Sequence, residues 1–179
     1  MTLTLLLTPL VIPILPTQAQ ETRLKVPSFS IRATDGRTYS PRSLSGKPTV
    51  VVFVNSGCPH NAPVVPELNE LRRQLGSQAN FVALVDLNLR EATALRKELK
   101  LDAPLLPDPQ KTLILGLGAT HSLDIGVVSR DGRTLLGRWG GVSRGFIAEV
   151  QNTLKRSGAP SLNLNLSRFK PERRSGCGF

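Results

Sequence analysis

The stretch Thr49-Val-Val-Val-Phe-Val-Asn-Ser-Gly-Cys58-Pro-His-Asn61 decides the reading of this chain. Thr49 to Asn55 is an unbroken run rich in β-branched residues, which predicts a central strand buried on both faces. Cys58 follows almost at once, and Pro59 suits the first position of a helix. The pattern therefore sets a thiol where a strand hands over to a helix. A thiol attacks as thiolate, with an unperturbed pKa near ~8.5. The unpaired N–H groups of a helix N-terminus favour that anion. The opposite reading is an inert, buried cysteine, since a free thiol packs like a small hydrophobe.

Outward from this stretch the elements alternate. Upstream, Val26-Pro27-Ser28-Phe29-Ser30-Ile31 alternates polar and apolar residues as a half-buried strand does, and Asp35-Gly36 marks a turn whose hairpin ends near Tyr39. Downstream, Pro59 to Leu75 predicts a helix with Val64, Leu68, Leu71 and Leu75 on one face, delayed or kinked by Pro63 and Pro66. Phe81 to Leu87 predicts a second buried strand. Arg90 to Leu99 predicts an amphipathic helix with Ala94, Leu95 and Leu99 inward. Leu105-Leu106 predicts a short strand within a proline-punctuated connection, and Lys111 to Leu117 a short helix closed by Gly118. Leu123 to Val128 and Thr134 to Trp139 predict a hairpin around Arg130-Asp131-Gly132-Arg133. Ser143 caps a last helix ending near Lys155. Parallel βα units closed by an antiparallel pair predict an α/β sandwich with a central mixed sheet and helices on both faces.

The two ends fall outside this pattern. Residues 1–19 read as an export signal: Leu3 to Leu15 is apolar, and Thr17-Gln18-Ala19 supplies small residues for cleavage, although no Lys or Arg precedes the apolar core. The predicted location is periplasmic or secreted, with an uncleaved N-terminal membrane anchor as the alternative. Residues 20–157 form the domain. Residues 158–179 show no periodic apolar face and read as a basic, disordered tail. The chain carries 23 Lys and Arg against 13 Asp and Glu, a net charge of +10, yet only 4% aromatic residues and no nucleic-acid motif. The basic tail reads as solvated, with contact to an anionic membrane surface as the alternative use of its charge. Among the 179 residues there are two cysteines, Cys58 and Cys177. In an exported protein structural cysteines tend to pair, so a lone thiol at position 58 points to redox use.

The residues that carry a resemblance are Asp35-Gly36, Gly46-Lys47, the strand Val50–Val54, the run Cys58-Pro-His-Asn-Ala-Pro-Val-Val-Pro-Glu-Leu68, Pro107-Asp-Pro109, Leu117-Gly-Ala-Thr120 and Arg130-Asp-Gly132. In this order and spacing the chain resembles the redoxin group of the thioredoxin superfamily, which includes alkyl hydroperoxide reductase and thiol-specific antioxidant relatives. The resemblance implies a thioredoxin-like three-layer sandwich and a reactive Cys58. Three departures stand out. Asn61 occupies the place of the second cysteine of a thioredoxin motif. Val51 and Asn55 stand where peroxiredoxins carry proline and threonine; the Asn55 amide is the substitute hydrogen-bond donor. Leu123, after Ser122, stands where the family places a cis-proline facing the cysteine, and a cis bond without proline costs ~2.5–4 kcal/mol.

The expected function is thiol-dependent oxidoreductase or peroxidase chemistry through Cys58, which attacks a peroxide or disulfide and yields a sulfenic acid or mixed disulfide. An external thiol reductant restores it and no cofactor is needed. Asn55, His60, Asn61, His121 and Leu123 shape the pocket. Cys177 is the alternative resolving thiol: a flexible tail of ~22 residues spans ~25 Å, so it reaches. Cys58, His60 and His121 form a weaker alternative as soft-metal ligands, lacking a fourth protein donor. A degenerate redoxin that binds a partner or metal without turnover also stays open.

Overall fold

The computed structural model describes residues 23–179. The export signal expected over residues 1–19 lies outside the described residues. The central sheet has six strands in the order β1-β8-β7-β4-β5-β6. These are β1 (Leu24–Lys25), β4 (Thr49–Val54), β5 (Asn80–Val85), β6 (Leu105–Pro107), β7 (Ile125–Val128) and β8 (Thr134–Trp139). β4 pairs in parallel with β5 and antiparallel with β7. The thioredoxin-like α/β sandwich expected from the sequence is the fold observed.

β4 explains why. All six of its residues are buried. Val50, Val52 and Val54 enter one core and Val51 and Phe53 the other. Successive side chains of a strand point to opposite faces, so an unbroken apolar run needs cover on both. The first core is covered by α1 (Val65–Leu75), α2 (Leu89–Leu99) and α4 (Arg144–Arg156), through Leu68, Leu71, Leu75, Ala92, Ile147, Val150 and Leu154. The second is covered by α3 (Thr112–Gly116) and by the chain before β4, through Leu113, Ile114, Val26, Ala33 and Leu44. α2 starts in a capping box between Asn88 and Glu91, and Ser143 Oγ caps α4 by accepting the Phe146 N–H at 3.2 Å.

Several elements differ from the sequence reading. Between Cys58 and α1 lie turns and a single turn of 3-10 helix, Ala62–Val64, because Pro63 and Pro66 withhold amide donors. The hairpin of β2 (Ile31–Arg32) and β3 (Thr38–Tyr39) forms a separate two-stranded sheet. In α2 Leu95 and Leu99 pack against the first core as expected, but Ala92 is buried there and Ala94 is exposed. Leu123 precedes β7 instead of opening it.

The largest correction concerns residues 158–179, expected to be disordered. Leu162, Leu164 and Phe169 are buried in the first core beside α4. The tail also has backbone partners: the Leu164 N–H donates to Gln151 Oε1 at 2.5 Å and the Arg144 N–H to the Lys170 carbonyl at 2.7 Å. Apolar anchors and paired amides supply the order that composition alone does not suggest. Phe169, 1% exposed, should then behave as a core residue. Phe169→Ala is expected to lower unfolding stability by about 3–5 kcal/mol in chemical denaturation. A loss below about 0.5 kcal/mol, the scale of a surface change, would show that the tail is no part of the core.

Candidate functional site

Cys58 lies just past the end of β4, in a turn closed by the hydrogen bond from its own N–H to the Asn55 carbonyl at 3.1 Å. It is 5% exposed. Two features hold the turn. The Asn55 side chain accepts the Gly57 N–H at 3.1 Å, and Asp86, beyond β5, accepts the Ser56 N–H at 2.8 Å. The third side chain is Asn61, which is also buried: its Nδ2 donates to the Asn55 carbonyl at 2.8 Å. Its Oδ1 accepts from the hydroxyl of Ser122 at 2.7 Å, and Ser122 Oγ in turn accepts the Asn55 N–H at 2.9 Å. Asn55, Asn61 and Ser122 thus form a closed ring of hydrogen bonds beneath the cysteine. Such a satisfied buried network fixes geometry.

The loop carrying Ser122 is held from below. Asp124 is fully buried; its Oδ2 accepts the N–H groups of Thr120 and His121 at 3.0 and 3.3 Å and pairs with Arg138 at 2.8 Å. The Leu123 N–H donates to the Phe53 carbonyl at 2.7 Å, and Leu123 takes a φ of 71°. No peptide bond among the described residues is cis. Leu123 is 1% exposed and packs into the first core, so its contribution is to position the loop.

The tail closes the site from above. Val142 and Arg174 exchange both N–H···O bonds, at 2.8 and 2.9 Å, where Gly141 lets the tail pass: a Cβ there would lie 2.4 Å from the Arg174 carbonyl oxygen. The Arg174 guanidinium forms an ion pair with Glu67, in the first turn of α1. Farther on, the Gly176 N–H donates to the Ser122 carbonyl at 2.9 Å and the Ser122 N–H to the Cys177 carbonyl at 2.7 Å. Asn55 Nδ2 donates to the Gly178 carbonyl at 2.5 Å. The Cys177 N–H then points at the Cys58 sulfur, at 2.9 Å.

Burial pushes the Cys58 thiol up, but hydrogen bonds from the Cys177 side chain and from the Cys177 and His60 amides oppose it and prevail, leaving it below its ordinary value. The hydrogen bond to Cys58, together with burial, pushes Cys177 up. The pair is thus polarised, with Cys58 favoured as thiolate and Cys177 as the protonated donor. The donors that favour the anion come from the tail and the turn, not from the first turn of α1 as the sequence suggested, since that helix begins only at Val65.

The remaining expected residues divide clearly. His60 acts on Cys58 through its backbone amide, and its ring is exposed. His121 Nδ1 lies 2.9 Å from Thr120 Oγ1 and its backbone bridges Gly178. Among the described residues no group of three His, Cys, Asp or Glu side chains is placed to hold a metal, so the set Cys58, His60 and His121 is not assembled. Two basic residues of the tail are engaged internally, since Arg173 Nε donates to the Gly140 carbonyl at 2.6 Å and Arg174 pairs with Glu67, while Arg168 and Lys170 are exposed. No helix among the described residues is long and apolar enough to cross a membrane. The sequence reading missed Ser122 as a bridge, and Asp124, Glu67 and Arg174 as anchors. Ser122, Glu67 and Arg174 depend on contacts far along the chain, with no local signal, and Asp124 adds to its nearby amides a pair with Arg138 in β8.

A cysteine at the end of the central strand, facing a loop that precedes an antiparallel strand, defines a thioredoxin-fold redoxin. The chain belongs to the AhpC/TSA family, whose model matches residues 22–144. The structure is similar to a putative protein disulfide isomerase from Bacteroides thetaiotaomicron, with a TM-score of 0.62, 19% identity and coverage of 75% of this chain and 88% of that one. It is also similar to the exposed lipoprotein thioredoxin of Streptococcus pneumoniae, with a TM-score of 0.60, 22% identity and coverage of 73% and 99%. A third likeness is to the bacterioferritin comigratory protein of Xanthomonas campestris, with a TM-score of 0.62, 15% identity and coverage of 78% and 98%. At these identities the likeness is one of fold. No curated protein matches the sequence significantly.

The polarised pair makes a measurable demand. Alkylation of Cys58 by iodoacetamide should reach half its limiting rate below the pH of an ordinary thiol, because only the thiolate reacts. Removing the Cys177 thiol donor in Cys177→Ala should move that midpoint upward. An unchanged midpoint would show that the Cys177 side chain does not support the thiolate.

Proposed function

We propose that this chain is a two-thiol oxidoreductase in which Cys58 attacks a disulfide sulfur and Cys177 resolves the mixed disulfide. One observation carries the reading: the Cys177 amide points at the Cys58 sulfur at 2.9 Å. The role that Asn61 cannot play within the motif passes to a cysteine delivered by the tail. The attack leaves Cys58 joined to one half of the substrate and releases the other half as thiolate. Cys177 then attacks the Cys58 sulfur, releases the second half, and leaves a Cys58–Cys177 disulfide. An external thiol reductant restores both thiols, and no cofactor takes part. Disulfide is favoured over peroxide as the electrophile because position 55 carries an amide where the family's threonine hydroxyl would polarise a peroxide. This assignment replaces the expectation that an outside thiol alone restores Cys58.

We place this activity outside the cytosol, on the apolar stretch Leu3 to Leu15 and the small residues Thr17-Gln18-Ala19. Support also comes from fold neighbours described as an exposed lipoprotein thioredoxin and a secreted disulfide oxidoreductase. One observation favours the alternative of a silent, partner-binding redoxin: the tail leaves Cys58 almost no exposed surface.

Oxidised glutathione separates the two. The reduced chain should lose two hydrogens and yield a Cys58–Cys177 crosslinked peptide on mapping. Cys177→Ser should instead accumulate glutathione on Cys58, and Cys58→Ser should give no crosslink. A wild-type chain that carries glutathione on Cys58 with no internal link would remove Cys177 from the mechanism. A chain that does not react at all would leave the binding module.

A further inference from the structure

The last residues of the chain lie on the site as a bound peptide would. The Gly176 N–H, the Cys177 carbonyl, the Gly178 carbonyl and the Phe179 N–H pair with the Ser122 carbonyl, the Ser122 N–H, Asn55 Nδ2 and the Thr120 carbonyl, at 2.9, 2.7, 2.5 and 3.2 Å. All four hydrogen bonds use the tail's main chain, and the Phe179 ring packs against the second core with Lys111 Nζ 5.9 Å from its centroid, so the seat reads an extended backbone and an apolar side chain two residues after the cysteine. The position before the cysteine is restricted as well. A Cβ on Gly176 would lie 2.6 Å from Ser122 Cβ and 2.8 Å from the Ser122 carbonyl oxygen. Ser122 cannot yield, because it is fully buried and held by Asn55 and Asn61. On the other side of the cysteine the seat is open: a Cβ on Gly178 would meet only the Thr120 carbonyl oxygen, at 3.8 Å. The seat therefore demands glycine immediately before the cysteine and tolerates a side chain after it.

We propose that this seat is a docking site for a polypeptide disulfide whose reacting cysteine follows a glycine, and that the chain's own C-terminus is its tethered occupant. The proposal rests on the two-thiol reading and adds the substrate class. For exchange the tail lifts and the substrate segment takes its place on Ser122. The Cys58 thiolate attacks the seated sulfur; the substrate S–S bond breaks, and the departing sulfur leaves as thiolate and takes a proton from solvent. Cys177, having given its proton to solvent, then attacks the Cys58 sulfur, and the segment leaves as a thiol. Two electrons pass from the cysteine pair to the substrate. Cys177 and the segment compete for one seat, so closing the internal disulfide and releasing the product are a single event.

The test uses the full-length Cys177→Ser chain, which keeps the tail and stops the second step. Two blocked peptides, Ser-Gly-Cys-Gly-Phe and Ser-Ala-Cys-Gly-Phe, are supplied as mixed disulfides with thionitrobenzoate, whose release is read by absorbance. The glycine peptide should react at least about tenfold faster, the scale of an unrelieved steric overlap. Adding Gly176→Ala to the chain should accelerate the glycine peptide, because its tethered competitor is weakened. Equal rates for the two peptides, or no acceleration by Gly176→Ala, would overturn the proposal. If the peptides react alike while oxidised glutathione still gives the Cys58–Cys177 crosslink in the wild-type chain, the docking proposal fails alone. If neither peptide reacts and no crosslink forms, the two-thiol reading fails with it.

Discussion

The Ser122 peptide unit is the constraint on which the site depends. Its side chain faces the strand-to-helix turn, taking the Asn55 N–H and donating to Asn61. Its main chain faces outward, holding Gly176 and Cys177. One residue thus sets both the turn that carries Cys58 and the segment that carries Cys177. The relative placement of the two thiols does not rely on any stiffness of the tail itself. The cost appears one residue later. Leu123 sits in the left-handed region at φ 71°, which costs a residue other than glycine about 1–2 kcal/mol. That conformation is tolerated because its N–H pairs with Phe53 and its side chain fills the first core.

The sheet was legible because its signals are local. An unbroken apolar run reads as a strand covered on both sides, and β4 divides its side chains between two cores as that requires. The face carried by Leu68, Leu71 and Leu75 of α1, and by Val64 in the 3-10 turn before it, is buried as its spacing demands. Cys58 at the junction followed from the same run. The inward face of α2 was misread only at its alanines, because both Ala92 and Ala94 fit an apolar stripe on a short helix, and only the neighbours decide between them.

The tail was misread for two different reasons. Ser161-Leu-Asn-Leu-Asn-Leu-Ser167 does alternate, and Leu162 and Leu164 are buried while Asn163 and Asn165 are exposed. The sequence reading credited this stretch with no periodic apolar face, because the alternation is carried only by Leu162, Leu164 and Leu166. The contacts of Arg174 and Gly176 leave no such trace. Glu67 belongs to α1 and Ser122 to the loop before β7, and nothing near residue 174 announces either. A basic composition suggested solvent; the fold uses one of those arginines in a pair with a mostly buried carboxylate. Sequence spacing alone could say that Cys177 reaches Cys58, but not that a seat awaits it.

In the exchange proposed above, that seat lets a thiol on a tail do the work of one in the motif. A flexible tether alone would present Cys177 at an effective concentration of order mM. Docking raises this by holding the amide on the sulfur, while the last residues bury apolar surface in part, through the Phe179 ring against the second core. Their main-chain hydrogen bonds contribute a net ~0.5–1.5 kcal/mol each, against ~1–2 kcal/mol to order each residue. Arg174 adds a buried ion pair whose Nε and Nη1 find no acceptor among the described residues, so the latch is a weak one. The tail therefore divides at Phe169. Before it, packing against α4 holds the chain as core; beyond it, pairing and ordering nearly balance. A segment in that balance can cover Cys58 at rest and still yield to a competing backbone, which a second cysteine fixed in the turn could never do.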